Sequence, residues 1–206
     1  NGETLSALVS NCICGSLPIG SIPLPSAKIY AICHLAYAIC ASNMSNKIII
    51  FSQYNGMLQI LSKCLTLLGL PVALYVGSIP LEQRAKLLNS FRTGQPISSS
   101  STTTRILLMN LKASSEGLNL QAANFCFIVE SWWNSAVELQ AVGRIHRIGN
   151  QRQCHVIHFQ VGDGSIEEKM LFLQKRKSVM IQATLDQQSQ QLNTLSHADI
   201  QASFGK

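Results

Sequence analysis

The segment KIIIFSQYNGMLQILSKCLTLLGLPVALYVG, residues 47–77, decides the fold class. It opens with an apolar run typical of a buried strand, continues with apolar residues at helical spacing over 55–68, and closes with a second apolar run over 71–77. Neither run alternates apolar with polar residues, which is the pattern of strands covered by helices on both faces. The order strand, helix, strand predicts a right-handed crossover between parallel strands.

The same alternation continues along the chain. Further candidate strands lie at 105–110, 125–130 and 154–161, and helical patterns cover 80–92, 116–122 and 135–148, with a final helix from about Ser165. This succession predicts an α/β fold in which helices flank a parallel sheet.

Segments of different composition surround and interrupt this pattern. Residues 1–26 are rich in Gly and Pro and are predicted to be a connector, whereas 27–185 form the domain, beginning with an amphipathic helix over 26–41. Residues 94–104 are predicted to be a mobile polar insertion, and 186–206 a polar tail that has little to bury.

The final helix has a defined start. Ser165 and Glu168 have the spacing of a capping box, in which each side chain bonds the other residue's backbone N–H. Ile166, Met170 and Leu173 follow at helical spacing and predict the stripe that attaches this helix to the domain.

Charge and cysteine content narrow the class of protein. The net charge of +6 favours an anionic partner, and seven of the sixteen basic residues lie between Arg144 and Lys177. The seven cysteines include no C-x-x-C pair, so free thiols are predicted and a metal site is not. The longest apolar run is too short for a membrane helix and the chain opens with no leader pattern, so we expect a soluble intracellular protein.

The stretch QAVGRIHRIGN, residues 140–150, carries the first sign of chemistry. On a helix, Gln140, Arg144 and Arg147 share one face at i, i+4 and i+7, beside an anchoring apolar stripe of Val137, Ala141, Ile145 and Ile148 that Gly149 would end. Planar guanidinium groups suit phosphate oxygens. A pair of solvated surface arginines fits the spacing equally well.

The neighbouring motifs resemble those of a known family. ELQAVGRIHRIG (138–149) is similar to the sixth helicase motif of superfamily-two ATPases of the Swi/Snf type. The other motifs of their second RecA-like lobe follow the family order: KIIIFSQY (47–54), LYVGSIPLEQRAKLLNSF (74–91), ILLMNLKASSEGLNLQAAN (106–124), FIVESWWNSAVELQ (127–140) and the brace helix SIEEKMLFLQKRK (165–177). The resemblance covers about residues 27–185 and is closest to DNA-repair translocases that carry a RING finger between their lobes.

The resemblance implies roles for individual residues. Arg144 and Arg147 would act catalytically as arginine fingers on ATP, and Gln140 and Gly117 would line the nucleotide side. The nucleic-acid side would comprise Ser52, Gln53, Lys112, Ala113, Asn119 and Trp132, with Trp133 beside them; for the tryptophans, packing is an equal alternative. ATP and Mg²⁺ would be held mainly by a first lobe, whose phosphate-binding loop and acid pair do not occur in this sequence. The chain alone is therefore expected to be inactive.

Several residues depart from the family pattern. Ser114, Ser115 and Glu116 replace a flexible, uncharged segment, which puts the nucleic-acid grip of that loop in doubt, and Tyr75–Val76 loses a carboxylate. Ser135, Asn150 and Glu130 are milder replacements of proline, glutamine and aspartate.

Two functions follow from the resemblance. The first is a nuclear ATP-dependent translocase acting on double-stranded DNA or nucleosomes in repair or chromatin remodelling. The second is an inactive lobe that serves as a chromatin or ubiquitin-pathway scaffold. The paired arginines favour the first, because an idle lobe has no need of them.

Overall fold

The fold is known from a computed structural model that describes residues 26–96, 103–132, 134–147, 152–162 and 164–185. For 114–116 and 178–185 it describes the backbone alone. The predicted connector (up to residue 25), the tail over 186–206, most of the polar insertion (97–102), Trp133 and Ile148 to Asn150 lie outside the described residues.

The described elements alternate as the sequence predicts. In chain order they are α1 (Ala27–Ser42), β1 (Ile48–Ser52), α2 (Asn55–Leu67), β2 (Val72–Tyr75), α3 (Leu81–Thr93), β3 (Ile106–Asn110), a 3₁₀ helix (Leu111–Glu116), β4 (Phe125–Ile128), α4 (Ser135–Ile145), β5 (His155–His158) and α5 (Ile166–Leu185). The five strands form one sheet in the order β2-β3-β1-β4-β5, and every neighbouring pair is parallel. The predicted fold class is confirmed.

The central strands are apolar because both faces of the sheet are covered. Ile48 and Ile50 of β1 point to a core closed by α1 and α2. Ile49 and Phe51 point to the opposite core, which α3 and α4 close with residues such as Phe91. All five residues of β1 are buried, so its unbroken apolar pattern reflects two cores rather than one.

Helix α1 lies on the sheet as predicted. Ile29, Ile32, Cys33, Ala36, Ile39 and Cys40 are all buried, and Ser26 Oγ accepts a hydrogen bond from the Ile29 amide at the start of the helix. At its end, the buried guanidinium of Arg105 donates to the carbonyl oxygens of Cys40 (2.9 Å), Asn43 (2.6 Å) and Asn46 (3.2 Å). Arg105, immediately before β3, thus caps the helix and fastens it to the sheet.

The prediction of a helix over 116–122 is wrong. The chain forms a 3₁₀ helix over Leu111–Glu116, begun by the Asn110 side chain, which accepts from the Lys112 amide at 3.0 Å. Gly117 ends this helix with φ of +73°, a left-handed conformation that costs glycine little. Beyond Gly117 the chain is a loop that buries Leu120 and Ala123. The spacing of its apolar residues resembles that of a helix face, which explains the wrong prediction.

The predicted helix over 135–148 ends earlier, at Ile145. Of the predicted apolar stripe, Ala141 and Ile145 are buried and Val137 is partly buried against the same core, whereas Ile148 lies outside the described residues. His146 leaves the helical conformation with ψ of 87°, so Arg147 lies beyond the helix. The prediction that Arg147 shares a helix face with Gln140 is therefore wrong. A β-branched residue followed by a histidine gives little propensity to continue the last turn.

Helix α5 starts and attaches to the domain differently from the prediction. Glu168 accepts from the Gly164 amide (2.9 Å) rather than from Ser165, while Ser165 Oγ accepts from the Glu168 amide (3.3 Å), so the capping box is shifted by one residue. Ile166 is 62% exposed and does not attach the helix, although Met170 and Leu173 are partly buried.

No helix in the described part of the chain is long and apolar enough to cross a bilayer.

Candidate functional site

The carboxyl ends of β1, β3 and β4 meet at one edge of the sheet, because the three strands are parallel and in register. Ser52 pairs with Asn110 at that edge, and the chain after Ile128 leaves beside them. Ligand sites of open parallel sheets lie outside this edge. Most of the site residues predicted from the sequence are on the loops that leave it.

Glu130 organises the segment after β1. Its Oε1 accepts a hydrogen bond from the Ser52 hydroxyl at 2.9 Å, and its Oε2 accepts from the Gln53 amide at 3.2 Å. Ser52 in turn accepts from the Tyr54 amide at 3.1 Å. The two predicted residues Ser52 and Gln53 are therefore held by a carboxylate that is only 9% exposed.

Asn110 joins this segment to the 3₁₀ helix. Its side-chain amide donates to the Gln53 carbonyl and to Asn55 Oδ1, both at 3.0 Å, while its Oδ1 accepts from the Lys112 amide. Ser52, Gln53 and Lys112 consequently belong to one hydrogen-bonded unit. Ala113 lies on the buried side of the same helix, packed against the core, whereas Lys112 is exposed.

The loop after the 3₁₀ helix contacts the end of α4. The Leu120 amide donates to the Arg144 carbonyl at 3.2 Å, and Gly117, exposed, makes the turn that leads there. Asn119 is exposed, and its Oδ1 accepts from the Gln121 amide at 3.1 Å. A groove of about 250 Å³ separates Asn119 from α3; its walls are Ala85, Leu88, Asn89 and Arg92.

Of the four residues predicted on the nucleotide side, the three that follow Gly117 in the chain differ in exposure. Gln140 is exposed and lies one turn before the partly buried Arg144 on α4. Arg147 is exposed beyond the helix end. Arg144 is thus positioned by a helix and by the Leu120 contact, whereas Arg147 follows the bend at His146.

Trp132 is anchored through its backbone and is partly buried against the core. Its amide donates to Glu138 Oε1 at 2.5 Å, and its carbonyl accepts from Gln174 Nε2 on α5 at 3.2 Å. The other oxygen of Glu138 lies 3.9 Å from His158 Nδ1. Glu138 is 6% exposed, so a buried carboxylate ties α4, β5 and the Trp132 segment together.

Burial raises the pKa of Glu130, and the hydrogen bonds from Ser52 and Gln53 lower it. The nearby ammonium of Lys28 lowers it further, whereas the carboxylate of Glu167 raises it. Two hydrogen-bond donors and one nearby cation thus favour the ionised form of Glu130 and offset part of the effect of its burial.

Sequence reasoning missed four residues that support the site: Lys28, Asn110, Glu138 and Glu167. Their partners include residues 57 to 139 positions away for Lys28, Asn110 and Glu167, and no recognised motif spacing marks the Glu138 contact six positions away. Glu130 was noticed, but only as a mild replacement. An acid at the end of an apolar strand pattern, which is where Glu130 lies, is the one signal that could have found it.

The donor set fits phosphate better than a metal. Arg144 lies in the last turn of α4 beside the Leu120 loop and Arg147 follows two residues after the helix ends, and guanidinium groups pair readily with phosphate oxygens. Among the described residues no three of His, Cys, Asp and Glu gather as metal ligands. The described cysteines are free thiols; burial raises the pKa of Cys33 to about 12 and that of Cys126 beyond it, so neither is a reactive nucleophile.

Comparison with protein families matches residues 27–149 to the helicase conserved C-terminal domain. The ATP-dependent helicase rhp16 of Schizosaccharomyces pombe is 36% identical over 179 residues, which are 87% of this chain and 20% of that protein. The DNA repair protein RAD5 of Cryptococcus neoformans is 30% identical over 193 residues, 92% of this chain and 15% of the relative. A putative SWI/SNF-related regulator of chromatin, subfamily A member 3-like 1, of Arabidopsis thaliana is 36% identical over 152 residues, 74% of this chain and 17% of the relative. The chain therefore spans about a fifth or less of the length of these relatives.

Solved structures share the fold. The C-terminal part of the Fun30 ATPase domain superposes with a TM-score of 0.64 at 25% identity, covering 85% of this chain and 48% of that one. The helicase domain of Pyrococcus furiosus Hef superposes with a TM-score of 0.57 at 16% identity, covering 82% of this chain and 37% of that one. These neighbours identify the sheet and its flanking helices as a RecA-like helicase lobe.

Proposed function

Because the chain belongs to the helicase conserved C-terminal domain family, as a Swi/Snf-type superfamily-two C-terminal lobe, we propose that it is the second motor lobe of an ATP-dependent DNA translocase. The motor acts in DNA repair or chromatin remodelling in the nucleus. The observation that carries the proposal is the hydrogen bond from the Leu120 amide to the Arg144 carbonyl, since it joins the loop of Gly117 to the last turn of α4, which contains Arg144 and leads to Arg147. Both are the nucleotide-side elements expected from the motifs.

On the nucleotide side, Arg144 and Arg147 contact the triphosphate of ATP bound by a first lobe. ATP, with Mg²⁺ held by that first lobe, supplies the phosphoryl group whose transfer to water drives the motor. The two guanidinium groups neutralise charge on the phosphate oxygens, and Gln140 orders the lobe interface one turn before Arg144. Gly117 keeps the neighbouring loop close to α4.

On the nucleic-acid side, Gln53, Lys112 and Asn119 face the sugar–phosphate backbone, whereas Ser52 is only 1% exposed and supports the Gln53 segment through its hydrogen bond to Glu130. Lys112 and Asn119 are exposed and Gln53 is partly exposed, and Asn110 links the Gln53 segment to the 3₁₀ helix. Ala113 and Trp132 are partly buried, so their contribution is to shape the surface by packing. Neutral donors and one lysine suit backbone contacts, which position a duplex without reading its sequence.

The two sides communicate through the 3₁₀ helix. It begins at Asn110, which bonds the Gln53 carbonyl, and it leads through Gly117 to the contact with Arg144. A displacement of the arginines during lobe closure would therefore move the segment that faces DNA. This connection provides the mechanical link that a translocase requires between hydrolysis and stepping.

The test is DNA-stimulated ATP hydrolysis. The protein that carries both lobes is expected to hydrolyse ATP faster when double-stranded DNA or nucleosomes are added, whereas the chain of residues 1–206 alone is expected to be inactive. If the two-lobed protein binds ubiquitin-pathway proteins but hydrolyses no ATP with any DNA, the translocase proposal is wrong and the lobe is a scaffold.

A further inference from the structure

Lys28, at the start of α1, lies beneath the edge of the sheet that carries the candidate site. Its ammonium donates to the Val129 carbonyl at 2.9 Å and to the carboxylate of Glu167 on α5. The side chains of Lys28 and Glu167 are only 10% and 18% exposed. We call the group Lys28, Val129, Glu130 and Glu167 the Lys28 junction.

Within the Lys28 junction, Glu130 is the residue that contacts Gln53. Val129, which accepts from Lys28, precedes Glu130, which holds the Ser52 hydroxyl and the Gln53 amide. An ionised carboxylate accepts both of those hydrogen bonds more strongly than a protonated carboxyl, whose hydroxyl oxygen is the weaker acceptor. A cation beside Glu130 therefore favours the form that holds the segment.

Two carboxylates share this cation. Glu167 is a direct ion-pair partner of Lys28 and also accepts from the Val161 amide at 2.9 Å, so it anchors the start of α5. Charge on Lys28 lowers the pKa of Glu130 while charge on Glu167 raises it. The position of α5 thus changes the electrostatic environment of Glu130 without any contact between α5 and Gln53 being needed.

We propose that Lys28 is a positioning residue for the segment of Ser52 and Gln53, acting through Glu130, and that α5 adjusts this action by sharing the charge of Lys28. The functional part rests on the proposed contact of Gln53 with DNA. Helices α1 and α5, one on each side of the sequence motifs, thereby control the grip of a loop that neither helix contains.

Amide hydrogen exchange in the 206-residue chain tests the positioning. In Lys28→Met the Gln53 amide is expected to exchange about tenfold faster, the effect of weakening a hydrogen bond to a charged group. Lys28→Arg should restore protection. Lys63→Met, an exposed lysine on α2, is the matched control and should change nothing. Unchanged Gln53 exchange in Lys28→Met would overturn the proposal.

A second pair of variants separates positioning from simple attachment of α5. Glu167→Gln is expected to speed exchange in the first turns of α5 while leaving Gln53 protected, because Lys28 stays beside Glu130. The double change Lys28→Glu with Glu167→Lys keeps the ion pair, and therefore the fold, but should leave Gln53 exchanging fast because a carboxylate then faces Glu130. If Gln53 protection simply follows α5 in both variants, Lys28 acts only as an anchor and the proposal is wrong.

Hydrolysis assays in the two-lobed protein provide the functional readout. Lys28→Met is expected to raise the DNA concentration for half-maximal stimulation several-fold with little change in kcat at saturating DNA, and Glu167→Gln is expected to leave that concentration unchanged because Gln53 stays protected. An equal loss of kcat in both would contradict positioning of the DNA-facing segment. If the unmodified protein shows no stimulation by DNA, the proposed function fails, while Gln53 exchange still decides the role of Lys28.

Discussion

The backbone amide of Leu120 lies 3.2 Å from the carbonyl oxygen of Arg144 and donates a hydrogen bond to it. The bond fixes the loop after the 3₁₀ helix against the last turn of α4. It uses main-chain atoms only, so substitution of the Arg144 side chain leaves it intact. The role of the guanidinium group can therefore be tested separately from the architecture around it.

Arg144→Ala and Arg147→Ala should each lower kcat for ATP hydrolysis in the two-lobed protein by roughly a thousandfold, as expected for loss of an arginine finger. Rates at saturating DNA isolate this effect. Arg92→Ala on α3 removes an equally charged, exposed side chain and serves as the control. An unchanged kcat in both arginine variants would refute their assigned role.

Gly117→Ala should destabilise the chain by about 1–2 kcal/mol, because the residue has φ of +73° and an L side chain is strained there. A Cβ at Gly117 meets nothing within 4 Å, so sterics add nothing to that cost. Urea unfolding measures the change.

Gly143→Ala is its counterpart inside α4, where a Cβ also has open space. It should stabilise the chain by about 0.5–1 kcal/mol through the gain in helix propensity. If both substitutions changed the free energy of unfolding in the same direction, backbone conformation would not be what determines the two changes.

Arg105→Met should cost about 3 kcal/mol of unfolding free energy, because three carbonyl oxygens at the end of α1 lose a charged donor. The methionine retains most of the apolar stem, so the loss reports the hydrogen bonds. Arg92→Met is the exposed control, and urea unfolding followed by circular dichroism is the measurement. Equal stability of the two variants would contradict the capping role.

Glu130→Gln should flatten the dependence of stability on pH. Burial raises the pKa of Glu130, so the folded chain holds this proton more tightly than the unfolded chain. The stability contributed by that proton is full below the ordinary pKa and is lost as pH rises through the raised value. Urea unfolding from weakly acidic to neutral pH should show this loss in the unmodified chain and less of it in the variant.

Glu82→Gln provides the comparison for that experiment. Glu82 lies on α3 with its side chain 80% exposed, and it pairs with Lys86 one turn away. Its substitution should leave the pH profile of stability unchanged. A profile altered equally by both substitutions would mean that the slope does not come from the buried carboxylate.

The fold could be predicted from the sequence because the three central strands bury both faces and the runs that contain the two outer strands are also largely apolar. Five apolar runs therefore stood out, even where the strand itself is shorter, as in β5, which covers 155–158 of the predicted 154–161. The region after β3 was predicted wrongly because Leu118 and Leu120 pack into the core from a loop, and apolar spacing cannot distinguish that from a helix.

The site was predictable where motifs lie on continuous segments. Gln140 and Arg144 are one turn apart on α4, as their spacing requires. Arg147 was misplaced because the helix ends at Ile145, and helix ends are poorly encoded by local pattern. Lys28 was unpredictable, since its partners Val129 and Glu167 are 101 and 139 residues away and meet it only after folding.

The ion pair between Lys28 and Glu167 also imposes an order on biosynthesis. The ribosome must add 139 residues after Lys28 before its partner exists, which takes roughly 7–28 s at common translation rates. Val129 follows Lys28 by 101 residues, so only in the last part of that interval does the ammonium have the Val129 carbonyl without a carboxylate from α5. The nascent lobe can therefore complete its sheet while Lys28 interacts with Glu130 but not yet with Glu167. Helix α5 is the last element to interact with the Lys28 ammonium.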